Sequence, residues 1–169
     1  MVKQVSAGFV IFRGTKDGPK FLLLFDRGRD WNFPRGKLVA EEKSFYGALR
    51  ETQEETGLRR QDLRIKRGFR AYERFTFLNR DRVKVHKTII FYLAETNKKQ
   101  IELSREHDGF GWFLYGEATT LLSSYKERRA VLKKANDFIS EGRPTVAIVD
   151  ESPHRWSRRR KRLRMRQPR

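Results

Sequence analysis

The 169-residue sequence contains no cysteine, so neither a disulfide framework nor a thiolate-ligated zinc or iron–sulfur centre is available to it. Histidine is scarce as well. His86, His107 and His154 stand at no metal-ligating spacing, which leaves a histidine-built metal site without support. Acid is outnumbered: 21 Asp+Glu face 39 Lys+Arg, and the formal charge of +18 points to polyanionic partners. Long apolar runs are missing too. Phe21 to Phe25 is among the longest, far too short to span a bilayer. No secretory leader precedes the first strand-like run, Val5 to Phe12, and a cytoplasmic location is expected. What the chain does have is aromatic mass. Thirteen Phe, five Tyr and three Trp are enough to build the core of one domain.

Charge is spread unevenly. From Ser152 to Arg169 there are nine Lys/Arg and no acid, so this segment carries half of the net charge. The expected organisation is a folded domain over residues 1–142, followed by a connector and an Arg-rich tail over 143–169. There is no internal repeat. Within the domain, periods of two predict strands at Val5–Phe12, Phe21–Phe25, Leu63–Phe77, Val83–Leu93 and Phe110–Leu114. Turn residues separate them at Lys16-Asp17-Gly18-Pro19 and Asn79-Arg80-Asp81. Two helices are predicted. One covers Ser44–Thr56, with an apolar stripe of Phe45, Ala48, Leu49, Thr52 and Thr56 and a Gly57 terminator. The other begins at a capping box, Ser124 to Glu127, and ends at Gly142. Strands and helices mixed without regular βαβ alternation imply an α+β fold, a mixed sheet flanked by helices.

The first helix carries the chemistry. Glu51, Glu54 and Glu55 stand at i, i+3 and i+4, so they share a face distinct from the apolar stripe. Like charges at that spacing repel and should raise some of the carboxyl pKa values. A divalent cation removes the repulsion, and an all-oxygen donor set favours Mg²⁺ or Mn²⁺ over zinc. Such an ion polarises a phosphoryl oxygen and activates water. The plainer alternative is a solvated acidic helix face.

The surroundings of the trio decide between the two. Gly36, Glu42, Arg50-Glu51, Glu54-Glu55 and Gly57-Leu58 stand at the spacing GX5EX7REUXEEXGU, which resembles the signature box of the Nudix family. Thr52 fills a position that is usually aliphatic, and the loop from Lys37 to Glu41 lacks the Pro-Gly often found there. The resemblance implies an αβα sandwich and hydrolysis of phosphoanhydrides by water attack at phosphorus. It implies metal ligation by Glu51, Glu54 and Glu55, with Arg50 orienting glutamates and Glu42 supporting the site from the loop or joining the ligands.

Beyond the box, the chain is most similar to asymmetric diadenosine tetraphosphate hydrolases. The shared features are Ala7 to Phe12, Trp31 to Gly36 (WNFPRG), Lys87 to Glu95, Glu106-His107 and Trp112. That likeness implies that Glu106 approaches the metals as general base or further ligand. A substrate of this kind carries several negative charges, and Arg35, Lys37 and Lys87 are the candidate phosphate contacts. Tyr72 and Phe75, with Phe77 nearby, are the aromatic candidates for stacking on a base, against a plainer role as core or hairpin residues; strand alternation puts Phe75 and Phe77 on one face and Tyr72 on the other.

In the tail, Arg158, Arg159, Arg160, Lys161, Arg162, Arg164 and Arg166 form a candidate nucleic-acid contact, Arg-rich and salt-sensitive by nature. Three readings follow. The first is a Mg²⁺-dependent Nudix pyrophosphohydrolase acting on a dinucleoside polyphosphate. The second keeps the chemistry but removes pyrophosphate or a cap from an RNA 5′ end. The third is a Nudix protein docked on RNA or a ribosome through its tail.

Overall fold

The computed structural model describes residues 1–142; the connector and the arginines of the tail fall outside the described residues. Aromatic and β-branched runs form one mixed sheet. Its strands are β1 (Val2–Thr15), β2 (Gly18–Asp26), β3 (Trp31–Asn32), β4 (Arg35–Lys37), β5 (Arg64–Ile65), β6 (Ala71–Leu78), β7 (Lys84–Glu95) and β8 (His107–Leu114). The central path runs β3-β2-β1-β7-β5, with β4 on β1, β6 on β7 and β8 on β2. The β1–β7 pair is parallel, with Ser6 opposite Ile89 and Phe12 opposite Glu95. The other pairs are antiparallel.

Both faces of the central strands are apolar, so both must be covered. One face buries Ala7, Phe9 and Ile11 beneath α1 (Ser44–Thr56). The other buries Val10, Phe12, Phe91 and Leu93 beneath α2 (Tyr115–Leu121) and α3 (Lys126–Ser140). Helix, sheet and helix layers give the expected αβα sandwich.

Four local expectations are corrected. The single long strand over Leu63–Phe77 is two strands, because the chain turns away between them at Gly68, whose φ is +83°. The short strands β3 and β4 and the helix α2 carry too few residues for a periodicity to register. The strand expected from Phe110 begins at His107, since the pairing of β8 with β2 extends to Asp26 opposite His107. The capping box at Ser124–Glu127 does not form: Tyr125 is the residue before the first turn of α3, and it makes no side-chain cap. Asn79 does hold its hairpin turn, its Oδ1 accepting from the Asp81 and Val83 N–H groups at 3.0 and 2.8 Å.

Candidate active site

The helix α1 stops where the sequence says it should. Gly57 adopts φ +72°, and its N–H donates to Gln53 O at 2.9 Å. The chain after β7 then returns to this terminus. Glu102 N–H donates to Thr56 O at 2.9 Å and Ser104 N–H to Glu55 O at 3.1 Å, which brings Glu106 and His107 to the end of α1. A second tie holds the same loop to the β2–β3 turn, where Arg27 donates to Arg105 O and Gly28 N–H to Asp108.

The three carboxylates share a side of α1 but occupy three different environments. Glu54 is exposed, Glu51 is partly covered, and Glu55 is buried at 6% exposure. Arg50 stands among them. Its Nη1 lies 2.8 Å from Glu51 Oε1 and 3.3 Å from Glu54, while Nε and Nη2 form a two-pronged pair with Glu42 at 2.9 and 3.0 Å. Nη2 also reaches Lys37 O at 2.9 Å. These bonds stabilise the guanidinium and raise the Arg50 pKa. Glu42 is held below the usual carboxylate range by the Arg50 hydrogen bonds, and its Oε2 also accepts from Val39 N–H at 3.1 Å. Both of its oxygens are engaged, and Glu42 anchors Arg50 from the loop.

Burial pushes Glu51 above the usual carboxylate range, and the charges of Glu54 and Glu106 add to this against the pull of Arg50. Glu55 rises to about 7. Burial is again the main cause, opposed by His107 and by the Arg35 N–H that donates to Oε2 at 3.0 Å. The mutual repulsion expected from the spacing contributes less than removal from water. Gly36 faces this group. A Cβ there would lie 1.9 Å from the Glu51 carboxyl carbon, so the carboxylate occupies the space that a side chain would fill.

Sequence reasoning missed Asp26. It sits at the end of β2 and binds His107 Nε2 at 2.9 Å, and Asn32 Nδ2 at 2.5 Å. His107 Nε2 is also 3.9 Å from Glu55, and its Nδ1 meets Ser104 Oγ at 3.1 Å. Burial alone would lower the His107 pKa, but the Asp26 hydrogen bond and the Glu55 charge outweigh it and hold the ring above its ordinary value. Asp26 and His107 are 81 residues apart, and no local pattern marks that pairing; only the β2–β8 register makes it.

Arg35, Lys37 and Lys87 come together. Arg35 and Lys37 follow Gly8 and Ser6 across the β1–β4 pair, and Lys87 is depressed first by burial and then by the charges of those two residues. Phe75 lies directly opposite Lys87 across the β6–β7 hairpin, with the Phe77 ring 6.1 Å away. Both rings are exposed rather than core. Tyr72 stands three positions from Phe75, an odd offset: strand alternation puts it on the opposite face, beside Arg74. It therefore lies across the sheet from Arg35, Lys37 and Lys87, as the alternation predicts.

Among the described residues no three His, Asp or Glu side chains are already gathered around a common point. Arg50 holds Glu51 and Glu54, and Asp26 and Arg35 hold the groups around Glu55. The chemistry of the donors nevertheless fits a hard divalent cation. They are all oxygen, and two are carboxyls whose ionised form is disfavoured without positive charge nearby.

Comparison with known proteins follows this geometry. The NUDIX domain family model matches residues 2–135. The asymmetrical bis(5′-nucleosyl)-tetraphosphatase of Sus scrofa is 37% identical over 144 residues, covering 79% of this chain and 94% of that protein. The rat counterpart is 36% identical over 124 residues, covering 71% and 80%. Among solved structures, a C. elegans Ap4A hydrolase binary complex superposes with a TM-score of 0.70 at 27% identity, covering 83% of this chain and 99% of that one. With the family model spanning most of its length and the box residues set on α1 as described, the chain belongs to the Nudix hydrolase family.

Proposed function

We propose that this Nudix hydrolase cleaves a dinucleoside polyphosphate of the diadenosine tetraphosphate type, using Mg²⁺ or Mn²⁺ held by Glu51, Glu54 and Glu55. One observation carries the reading above the rest: Glu55 is buried between the Arg35 N–H and His107 with its pKa raised to about 7. A carboxyl kept this way has little value to the fold itself and suits a group that exchanges a proton for a cation. When bound, the ion polarises a phosphoryl oxygen and lowers the pKa of a water. The likeness to tetraphosphatases in sequence, and to an Ap4A hydrolase in fold, supports the substrate class.

The chain's own residues divide the remaining work. Arg50, anchored by Glu42, fixes where Glu51 and Glu54 stand. Glu106 is exposed, and its charge bears on Glu51; in this reading it takes the proton from attacking water. The water oxygen forms a new bond to phosphorus as the anhydride P–O bond breaks, and the leaving phosphate keeps the electron pair. Arg35, Lys37 and Lys87 line one face of the sheet as counter-charges for the phosphate chain. Phe75 beside Lys87 offers a ring for a base, a contact worth ~1–3 kcal/mol.

The test is direct. Full-length protein with diadenosine tetraphosphate and Mg²⁺ should release ATP and AMP, and Glu55→Gln should lower turnover about 10²- to 10³-fold. The amide still accepts from Arg35 N–H, so the fold should survive. A 5′-triphosphorylated RNA assayed in parallel should turn over more slowly. No release of ATP and AMP, or full activity in Glu55→Gln, would remove the proposal.

A further inference from the structure

Between Arg59 and Lys87 stand eleven Lys/Arg and three acids. The acids are mostly spoken for. Asp62 accepts from Arg59 N–H and Lys98 at 2.8 and 3.0 Å, and Glu73 is buried against Arg128 at 3.3 Å; Asp81 sits in the hairpin turn. Arg64 and Lys66 share Glu95. Arg67, Arg70, Arg74, Arg80, Arg82 and Lys84 are exposed and form no ion pair among the described residues.

Strand alternation sorts these cations by face. Arg70 lies over the Tyr92 ring at 5.4 Å, on the α1 side, and Tyr72 and Arg74 follow on that same face. Lys84 joins them from β7, and Lys3, paired with His86, from β1. Neither β1, β6 nor β7 presents an acid on this part of the face. The helix does not cover it. The start of α1 is pinned at Tyr92, where Ser44 Oγ meets the phenol at 2.6 Å. Beyond that point Val5, Tyr72 and Leu78 are 41%, 37% and 65% exposed. The Arg74 guanidinium lies over the Tyr72 ring, 4.4 Å from its centroid.

We infer that this open end of the α1-side sheet face, built from Arg70, Tyr72, Arg74, Lys84 and Lys3, docks single-stranded nucleic acid. Unpaired cations without acid supply the attraction for a phosphate backbone. Residues two apart on a strand are separated by about 6.6 Å, so Arg70 and Arg74 flank Tyr72 at a spacing suited to phosphates on either side of a stacked base. A duplex keeps its base faces stacked inside and offers nothing to the ring. The surface lies on the opposite side of the sheet from Phe75 and Lys87, so a strand bound here leaves that shelf open. The inference therefore stands apart from the identity of the hydrolysed substrate.

The experiment uses full-length protein, a labelled single-stranded RNA oligonucleotide and its duplex, titrated at several salt concentrations. Arg74→Glu with Lys84→Glu should weaken single-strand binding about tenfold or more at low salt. It should lower the salt slope by about 1.4, at ~0.7 per lost phosphate contact. Hydrolysis of a small dinucleotide by this double variant should be unchanged. Tyr72→Ala should weaken single-strand binding at least about fivefold with the slope retained and the duplex barely affected. An affinity and slope that the double variant leaves intact would assign RNA binding to other basic segments and overturn the inference. Equal effects of Tyr72→Ala on single strand and duplex would overturn it as well. So would loss of binding to phosphatidylserine vesicles in the double variant without loss of RNA binding, which would make the face a membrane contact.

Discussion

The acidic rim of α1 and the basic β6–β7 hairpin treat charge in opposite ways. On the rim, one guanidinium, Arg50, contacts three glutamates and a main-chain carbonyl, and every group there is fixed by another. On the hairpin, Arg74 and Lys84 have no carboxylate partner among the described residues, and the guanidinium lies over a tyrosine ring. A network of ideal geometry positions side chains for chemistry, whereas isolated exposed cations add little to the fold. The rim is thus organised for a reaction that needs fixed distances. The hairpin is left with charge to spare, which serves a partner better than it serves the domain.

The buried pair Arg128–Glu73 lies between these extremes and supplies the largest expected effect. Arg128 on α3 donates to Trp31 O at 2.9 Å, packs on the Tyr125 ring at 4.1 Å and meets Glu73 of β6. Arg128→Ala should cost ~3–5 kcal/mol, because it strands a buried carboxylate. Adding Glu73→Leu should recover most of that loss. Urea unfolding of the parent and the two variants measures it, and a single variant as stable as the parent would show that the pair does not join helix to sheet.

Next in size is a pH dependence that belongs to the rim alone. Glu55 in the folded protein keeps its proton up to about 7, against an ordinary 4.5, so the folded state binds more protons than the unfolded one across that interval. Stability therefore falls as pH rises from about 4.5 to 7, by ~3 kcal/mol. His107 adds to the same trend: its raised pKa gives stability that is complete below 6.5 and lost as pH rises through the folded value. Asp26, held low against its own burial by His107 and Arg35, acts the other way, but only at acid pH below its ordinary 3.8. Thermal unfolding with chelator at pH 5 and 8 should show the drop, and Mg²⁺ should restore more stability at pH 8. Glu55→Gln should flatten the profile. A parent protein equally stable at both values would contradict the assigned burial cost.

How much of this was readable beforehand follows from range along the chain. The helix carrying Glu51, Glu54 and Glu55, and its end at Gly57, are written in consecutive residues, and both formed where expected. The inequality among the three glutamates was not readable, because it arises from the roll of α1 against the sheet, which buries Glu55 beside Thr52 and Thr56. Asp26 meets His107, and Glu73 meets Arg128, only through strand register and helix packing. The opposite faces of Tyr72 and Phe75 were readable, because a period of two is a local property and the β6–β7 register keeps it. The break at Gly68 was hidden for a plainer reason: the apolar alternation resumes on its far side.

Gly36 tests the rim by volume rather than charge. A methyl group added there meets the Glu51 carboxylate, whose far end must give way because Arg50 holds its other side. Gly36→Ala should cost the fold only ~1 kcal/mol, at the low end for overpacking, and yet lower turnover about tenfold by displacing one acid. The split between melting temperature and kcat is the readout. A variant with full activity would mean that the position of Glu51 is not critical.

The smallest effect belongs to the hairpin. Reversing Arg74 and Lys84 to glutamate removes two exposed cations that make no ion pair among the described residues, and the substitutions bury nothing. Exposed charges of this kind are worth within about 0.5 kcal/mol. In a domain carrying 29 Lys/Arg against 19 acids over residues 1–142, losing positive charge even relieves self-repulsion. The expected change in melting temperature is therefore near zero or slightly upward, and largest at low salt, where screening is weakest. A marked loss of stability would mean that these cations hold the edge strand in place. The contrast with the rim would then be one of degree, and the charge on the hairpin would already have its use within the fold.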